Sequence, residues 1–138
     1  MSVIEELIRL EDDGTLSFGN HLMETKKKVL DFEVENDLYK VKTFNEITRL
    51  EKNGRLVFES VPGVTVHKFS AVNSEEVMFT VEGSEDAQIT LELAPNSIFR
   101  IIVNGVNIGN IESTIAGKVN FSVELKDSSS DVIVKKIG

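Results

Sequence analysis

Cysteine and tryptophan are absent from this chain, tyrosine occurs once, and proline and histidine occur twice each. Without cysteine there is no disulfide, no thiolate nucleophile and no cysteine-based zinc or iron–sulfur site. Positive charge is also scarce, with 15 basic against 23 acidic residues. The deficit is spread evenly, since residues 1–60 hold 9 basic and 13 acidic and residues 61–138 hold 6 and 10, a net −4 in each part. The one basic run, Lys26-Lys27-Lys28, sits near Glu24 and Asp31 and reads as a solvated loop, so neither nucleic acid nor an anionic membrane is an expected partner. The start, Met1 to Glu6, lacks the basic and apolar stretches of a signal peptide, and no later run could span a bilayer as a helix. A soluble cytoplasmic protein is the expectation.

What is present is a repeat. Glu6, Arg9, Leu10, Glu11, Gly14, Leu16 and Phe18 recur as Glu46, Arg49, Leu50, Glu51, Gly54, Leu56 and Phe58, at an offset of 40 residues. Chance would match about one position in such a window, so the two segments, 4–18 and 44–58, answer a shared structural demand. Two structures fit. Ser2-Val3-Ile4-Glu5 and Thr43-Phe44-Asn45-Glu46 resemble capping boxes, with Gly14 and Gly54 as helix stops. Alternatively, Asp13-Gly14 and Asn53-Gly54 stand between apolar runs in the order of a hairpin with a type I turn and a glycine bulge. Arg55 to Glu59 favours the hairpin in the second copy. In the first copy both remain open, because Val3, Ile4, Leu7 and Ile8 also share a helical face.

The rest of the chain alternates with period two. Phe32 to Val34 and Leu38 to Lys42 flank a turn at Glu35-Asn36-Asp37, and Val61-Pro62-Gly63 breaks the pattern. Seven strands are then expected at Val64–Phe69, Glu76–Val81, Gln88–Leu93, Ile98–Val103, Val106–Ile111, Lys118–Leu125 and Asp131–Ile137, with Asn104-Gly105 the strongest hairpin signal. The expected fold is therefore mainly β. A hairpin-rich part, 1–61, with room for one or two short helices, precedes an antiparallel immunoglobulin-like β-sandwich, 64–138. Phe58, Phe69, Phe79, Phe99 and Phe121 fall at inward positions, where each buried ring contributes roughly 1.5–3 kcal/mol. Phe18 and Phe58 hold equivalent repeat positions and should pack alike.

Phe99 to Gly109, followed by Thr114-Ile115-Ala116-Gly117-Lys118-Val119-Asn120-Phe121-Ser122-Val123, resembles the last strands of fibronectin type III-like and immunoglobulin-like modules, which are common accessories in bacterial carbohydrate-processing proteins. With Leu38 to Thr43 and Glu59 to Gly63, the whole chain also resembles a group of short bacterial β-rich proteins that sometimes carry an endosialidase label. The resemblance implies a β-rich accessory role. No residue here matches an endosialidase active site, and no functional residue is carried over.

Searches for chemistry return little. His67 lies on the face opposite Val66, toward water, and His21 follows Phe18-Gly19-Asn20 in a polar connection, so a two-histidine site would have to come from the fold. Glu11-Asp12-Asp13-Gly14 evokes a calcium loop, but placing Gly14 sixth puts Arg9 first and Asn20 last, where carboxylates are needed. Glycosidase chemistry needs two opposed carboxylates, and the usual aromatic sugar platform is reduced to Tyr39. No Gly-x-Ser-x-Gly, Walker loop or dinucleotide fingerprint occurs. No catalytic, cofactor-binding or metal-binding residue is therefore assigned, and no cofactor is expected. The leading function is a non-enzymatic interaction or structural module acting by self-association or protein docking. Its expected edges are the last strand, Val132-Ile133-Val134 followed by Lys135-Lys136, and residues 1–20, which could pair with a neighbouring chain. The alternatives are a carbohydrate-binding module, or a small hydrolase using Glu6, Arg9 and Glu11 with Glu46, Arg49 and Glu51 in a groove between the two parts. Surface ion pairs are the simpler account of those six residues.

Overall fold

A computed structural model describes residues 3–138, the Val72 side chain excepted. Among the described residues there are thirteen strands and no helix. They are β1 (Ile8–Leu10), β2 (Leu16–Phe18), β3 (Lys27–Val34), β4 (Asp37–Phe44), β5 (Ile47–Lys52), β6 (Arg55–Val61), β7 (Thr65–Asn73), β8 (Glu76–Gly83), β9 (Ala87–Glu92), β10 (Ile98–Val103), β11 (Val106–Glu112), β12 (Lys118–Val123) and β13 (Ser128–Lys136). They form two antiparallel sheets packed face to face. The seven-stranded sheet has the order β1-β2-β7-β8-β13-β10-β11, and the six-stranded sheet β12-β9-β6-β5-β4-β3. Alternation produces this directly: Val77, Phe79 and Val81 on β8, and Val119, Phe121 and Val123 on β12, point inward and are buried.

Both copies of the repeat are hairpins, so the helical option is not realised. Leu7 has φ 72°, which ends any right-handed helix there, and Thr43 is buried in β4 instead of capping a helix. Ser2 of the other candidate capping box lies outside the described residues. The first turn is the expected one. Gly14 donates to the Glu11 carbonyl at 3.0 Å, Glu11 donates to the Thr15 carbonyl at 2.8 Å, and Gly14 takes φ 86°. The second differs from expectation: Lys52 pairs with Arg55 across two residues, Asn53 and Gly54, with φ of 51° and 82°. Two consecutive positive φ values make a type I′ turn, which Asn and Gly tolerate best. Asn53 also has work of its own, since its amide bridges Leu38 N at 2.9 Å and Asp37 at 2.9 Å, tying this turn to the β3–β4 hairpin.

The two copies lie in opposite sheets and meet in the core. Phe18 from β2 and Phe58 from β6 pack edge to face with centroids 5.4 Å apart, and Phe69 and Phe79 complete the cluster. Val61-Pro62-Gly63 is one of the six points where the chain crosses from one sheet to the other. Strands from both sides of this break pair in both sheets, β2 with β7 and β6 with β9, and one continuous core takes residues from both.

β13 does not form the expected edge. It lies between β8 and β10, its Val132 and Val134 buried, because β10 exposes one ladder to β11 through the Asn104-Gly105 hairpin and the other to β13. The exposed edges are β1 and β11 in one sheet and β12 and β3 in the other.

Three glycines, Gly19, Gly63 and Gly117, are required by close backbone approach. A Cβ at Gly117 would stand 2.1 Å from the Leu93 carbonyl oxygen, with φ at 81°, and one at Gly63 would stand 1.9 Å from that of Phe44. Gly14 shares the positive φ but faces open space. Gly117→Ala is therefore expected to cost at least about 2 kcal/mol and Gly14→Ala about 1 kcal/mol. Urea midpoints of the two variants check the ranking; equal losses would contradict it.

Candidate functional site

The acid–arginine triplets repeat as ion pairs. Arg9 Nε lies 3.1 Å from Glu11 and Arg49 Nε 3.1 Å from Glu51, and Arg9 also reaches Glu6 at 3.5 Å and Arg49 reaches Glu59 at 2.5 Å. Glu46 is exposed in the β4–β5 turn. The two sets belong to opposite sheets, so they do not line one groove. Glu11 also accepts a 2.5 Å hydrogen bond from Ser17, and that bond holds its carboxyl below the usual range despite partial burial. These are surface ion pairs on hairpins, worth little individually.

The fold sets each histidine beside one member of the same cross-strand pair. Thr65 and Glu82 are cross-strand partners on β7 and β8. His21 Nδ1 is 2.8 Å from the Thr65 hydroxyl, and His67 Nε2 is 3.0 Å from Glu82 Oε1. His67 is less open than its outward position suggested, because its side chain is only 14% exposed beneath this contact. Burial pushes the His21 imidazole below its ordinary value, against the opposing pull of Glu82 and Asp127. Among the described residues, no group of three metal-type ligands forms around them.

Beside them lies a buried hydroxyl relay. Thr48 donates to the Val64 carbonyl at 2.7 Å and accepts from Val64 N at 3.1 Å; its 2.8 Å contact with Thr43 is then donated by Thr43, which accepts from Asn20 N at 3.0 Å. These bonds satisfy backbone groups where the chain changes sheet and no ladder continues. The site is structural: the hydroxyls are consumed internally, and Thr43, Thr48 and Thr65 are buried.

Composition did not reveal a cleft of about 450 Å³ at one end of the sandwich, between the sheets, where the β1–β2 and β5–β6 turns gather. Leu16, Val57 and Phe69 supply apolar lining, and Tyr39, Lys52 and Glu92 supply polar groups. Burial raises the Tyr39 phenol, while hydrogen bonds from Lys118 and Arg55 hold the Glu92 carboxyl low. Glu92 is the one carboxylate among the described lining residues, so the cleft lacks the opposed acids of a glycosidase. Its volume suits a small ligand. Tyr39 was the available signal, as the sole tyrosine, but nothing in its local pattern placed it at a sandwich mouth.

The second exposed feature is β11. All its residues except Ile111 are exposed, including Val106 at 62% and Ile108 at 51%, and nearby Ile115 is 86% exposed. The other three edges are shielded in familiar ways. β1 has three residues with Arg9 at its centre, β3 carries Lys27, Lys28, Asp31 and Glu33 plus a bulge, and β12 opens with Lys118. β11 has no lysine, arginine or proline; its protection is the bulge opposite Ile101 and Ile102, the Asn107 side chain accepting from Gly109 N at 2.9 Å, and Glu112 at its end.

The chain matches no family model, and no curated protein and no solved structure is significantly similar to it.

The histidine environment has a pH signature. A native pKa below the unfolded value, about 6.5, means that the unfolded chain takes up its proton first. Stability from this group is present above about pH 6.5 and is lost as pH falls toward the native pKa. His21→Gln is expected to flatten the dependence of Tm on pH between about 7 and 5, above the range where carboxylates titrate. Identical slopes in the wild type and the variant would remove this role for His21.

Proposed function

We propose that this protein is a non-enzymatic β-sandwich module that acts by docking on protein, another molecule of its own kind included. The observation that carries this reading is β11, a seven-residue edge with free backbone groups, exposed Val106 and Ile108 and a single charge, Glu112. Such an edge is a template for a further strand. The immunoglobulin-like reading of residues 64–138 belongs to the same proposal. It is supported by seven antiparallel strands spread over two sheets, five of them in one sheet with β13 between β8 and β10. The likeness to short bacterial β-rich proteins and the cytoplasmic setting are further parts of the proposal.

Lysine at Val106 and Ile108 would charge this edge without touching the core. The double variant V106K/I108K is expected to keep the wild-type Tm within a few degrees, and to lose self-association or capture of a partner that the wild type shows in parallel. A wild type that stays monomeric at high concentration, and retains no protein that the variant fails to retain, would sink the reading.

The end cleft favours a second reading, a small-ligand or carbohydrate-binding module, because it joins apolar walls to Tyr39 and Lys52 in one concavity. Glycan-array binding by the wild type, with a loss of at least about tenfold in affinity for Tyr39→Ala, is the expected result if the ring stacks on a sugar. A blank array, or undiminished binding by the variant, would reject this reading.

A further inference from the structure

The outer face of the six-stranded sheet leaves Leu30, Leu38 and Val61 exposed on β3, β4 and β6, and across β9 and β12 it is a paired polar lattice. Gln88 bonds Asn120, Asn120 bonds Thr90 at 2.7 Å, Ser122 bonds Gln88 at 2.6 Å, and Glu92 takes both Arg55 at 2.7 Å and Lys118 at 2.9 Å. Every one of these groups is satisfied within the chain. The seven-stranded sheet instead carries an apolar row across three adjacent strands at its centre: Met78 on β8 stands opposite Ile133 on β13, which stands opposite Ile102 on β10. Met78 is 44% exposed and the two isoleucines are half-buried.

The row is bordered by charges of opposite sign. On one side, two residues along each strand, lie Glu76, Lys135 and Arg100; on the other lie Thr80, Asp131 and Asn104. Arg100, Lys135 and Asp131 are exposed and make no ion pair among the described residues. Asp131 accepts only a hydrogen bond from the Thr80 hydroxyl and holds its own backbone N–H against Asn104.

We propose that this face is the contact surface for a second copy of the chain, related by a two-fold axis lying along the Met78–Ile133–Ile102 row. The proposal rests on the docking reading above and names the partner. Rotation about that axis keeps each strand opposite itself and exchanges the two borders. Apolar row then covers apolar row, Lys135 of each copy faces Asp131 of the other, Arg100 faces Asn104 and Glu76 faces Thr80. Among these six border residues no like charges meet. An axis parallel to the strands would also stack the apolar rows, but it would set Lys135 against Lys135 and Asp131 against Asp131, so charge selects the first arrangement. Sheets packed face to face run within about 30° of alignment, and the axis along the row keeps the strands of the two copies aligned.

Charge reversal at the two positions tests it. In sedimentation equilibrium the wild type is expected to dimerise, and Lys135→Asp and Asp131→Lys are each expected to raise the dissociation constant at least about tenfold, because each breaks two pairs and opposes like charges. The double variant K135D/D131K restores complementarity and is expected to return within about threefold of the wild type. Ile133→Glu should abolish the dimer while leaving the monomer folded, as Tm and circular dichroism would show. A wild type monomeric at all concentrations overturns the proposal, as does a dimer insensitive to these three single changes. If the dimer yields to V106K/I108K but not to charge reversal, the docking reading stands on the β11 edge and the face proposal falls. If neither self-association nor any partner sensitive to the edge is found, both fall.

Discussion

The architecture depends on the contact between Phe18 and Phe58. These rings come from equivalent positions of a duplicated segment, yet they enter the core from opposite sheets and meet edge to face at 5.4 Å. Two hairpins that each bury a phenylalanine on one side cannot do so alone, because a two-stranded ribbon has too little apolar area. Placed across from one another, with Phe69 and Phe79 filling the remaining quadrants, they complete each other's core. The repeated arginine and glutamate then fall outward in both copies, which is why the same ion pair, at the same 3.1 Å, occurs twice without a reactive centre forming around it.

Joining the sheets requires the chain to cross between them, and a crossing leaves backbone groups without a ladder. Thr48 answers for both polar groups of Val64, and Thr43 for the amide of Asn20. Gly19 and Gly63 let the segments close on this point, since a Cβ at either would meet a carbonyl oxygen within 2.5 Å. The histidines sit beside the crossing for the same reason: His21 follows Gly19 into the corner, and Thr65, its hydrogen-bond partner, begins the next strand. Their chemistry is absorbed by structure.

The threonines of the crossing are committed to backbone groups, while the buried Ser60 hydroxyl has no hydrogen-bond partner among the described residues. The six-stranded sheet joins β9 and β12 with its own side-chain hydrogen bonds, and the seven-stranded sheet leaves an apolar row, unpaired charges and the edge of β11 on adjoining strands. The end cleft is the competing feature, and its single carboxylate, already held by Lys118 and Arg55, makes it a place for binding more than for bond-making.

Strand positions were legible because they depend on neighbours in sequence. Period-two alternation and the Asn104-Gly105 turn locate Ile98–Val103 and Val106–Glu112 nearly to the residue. The choice between helix and hairpin at residues 4–18 was not legible, since residues 4, 7 and 8 share a helical face while Asp13-Gly14 signals a turn, and only packing against β7 decides between them. Val132 to Val134 read as an edge because Lys135-Lys136 follows; its insertion between β8 and β10 depends on partners dozens of residues away. The same holds for His21 against Thr65 and His67 against Glu82, for Tyr39 at the mouth of the cleft, and for the alignment of Met78, Ile133 and Ile102. By itself, then, the sequence determined a mainly β chain with most of its strands and its inward face, because alternation and turn chemistry act over a few residues. Tertiary structure alone decided which strands became edges and which side chains came to share a surface, because pairing order is set by long-range burial that no local pattern encodes.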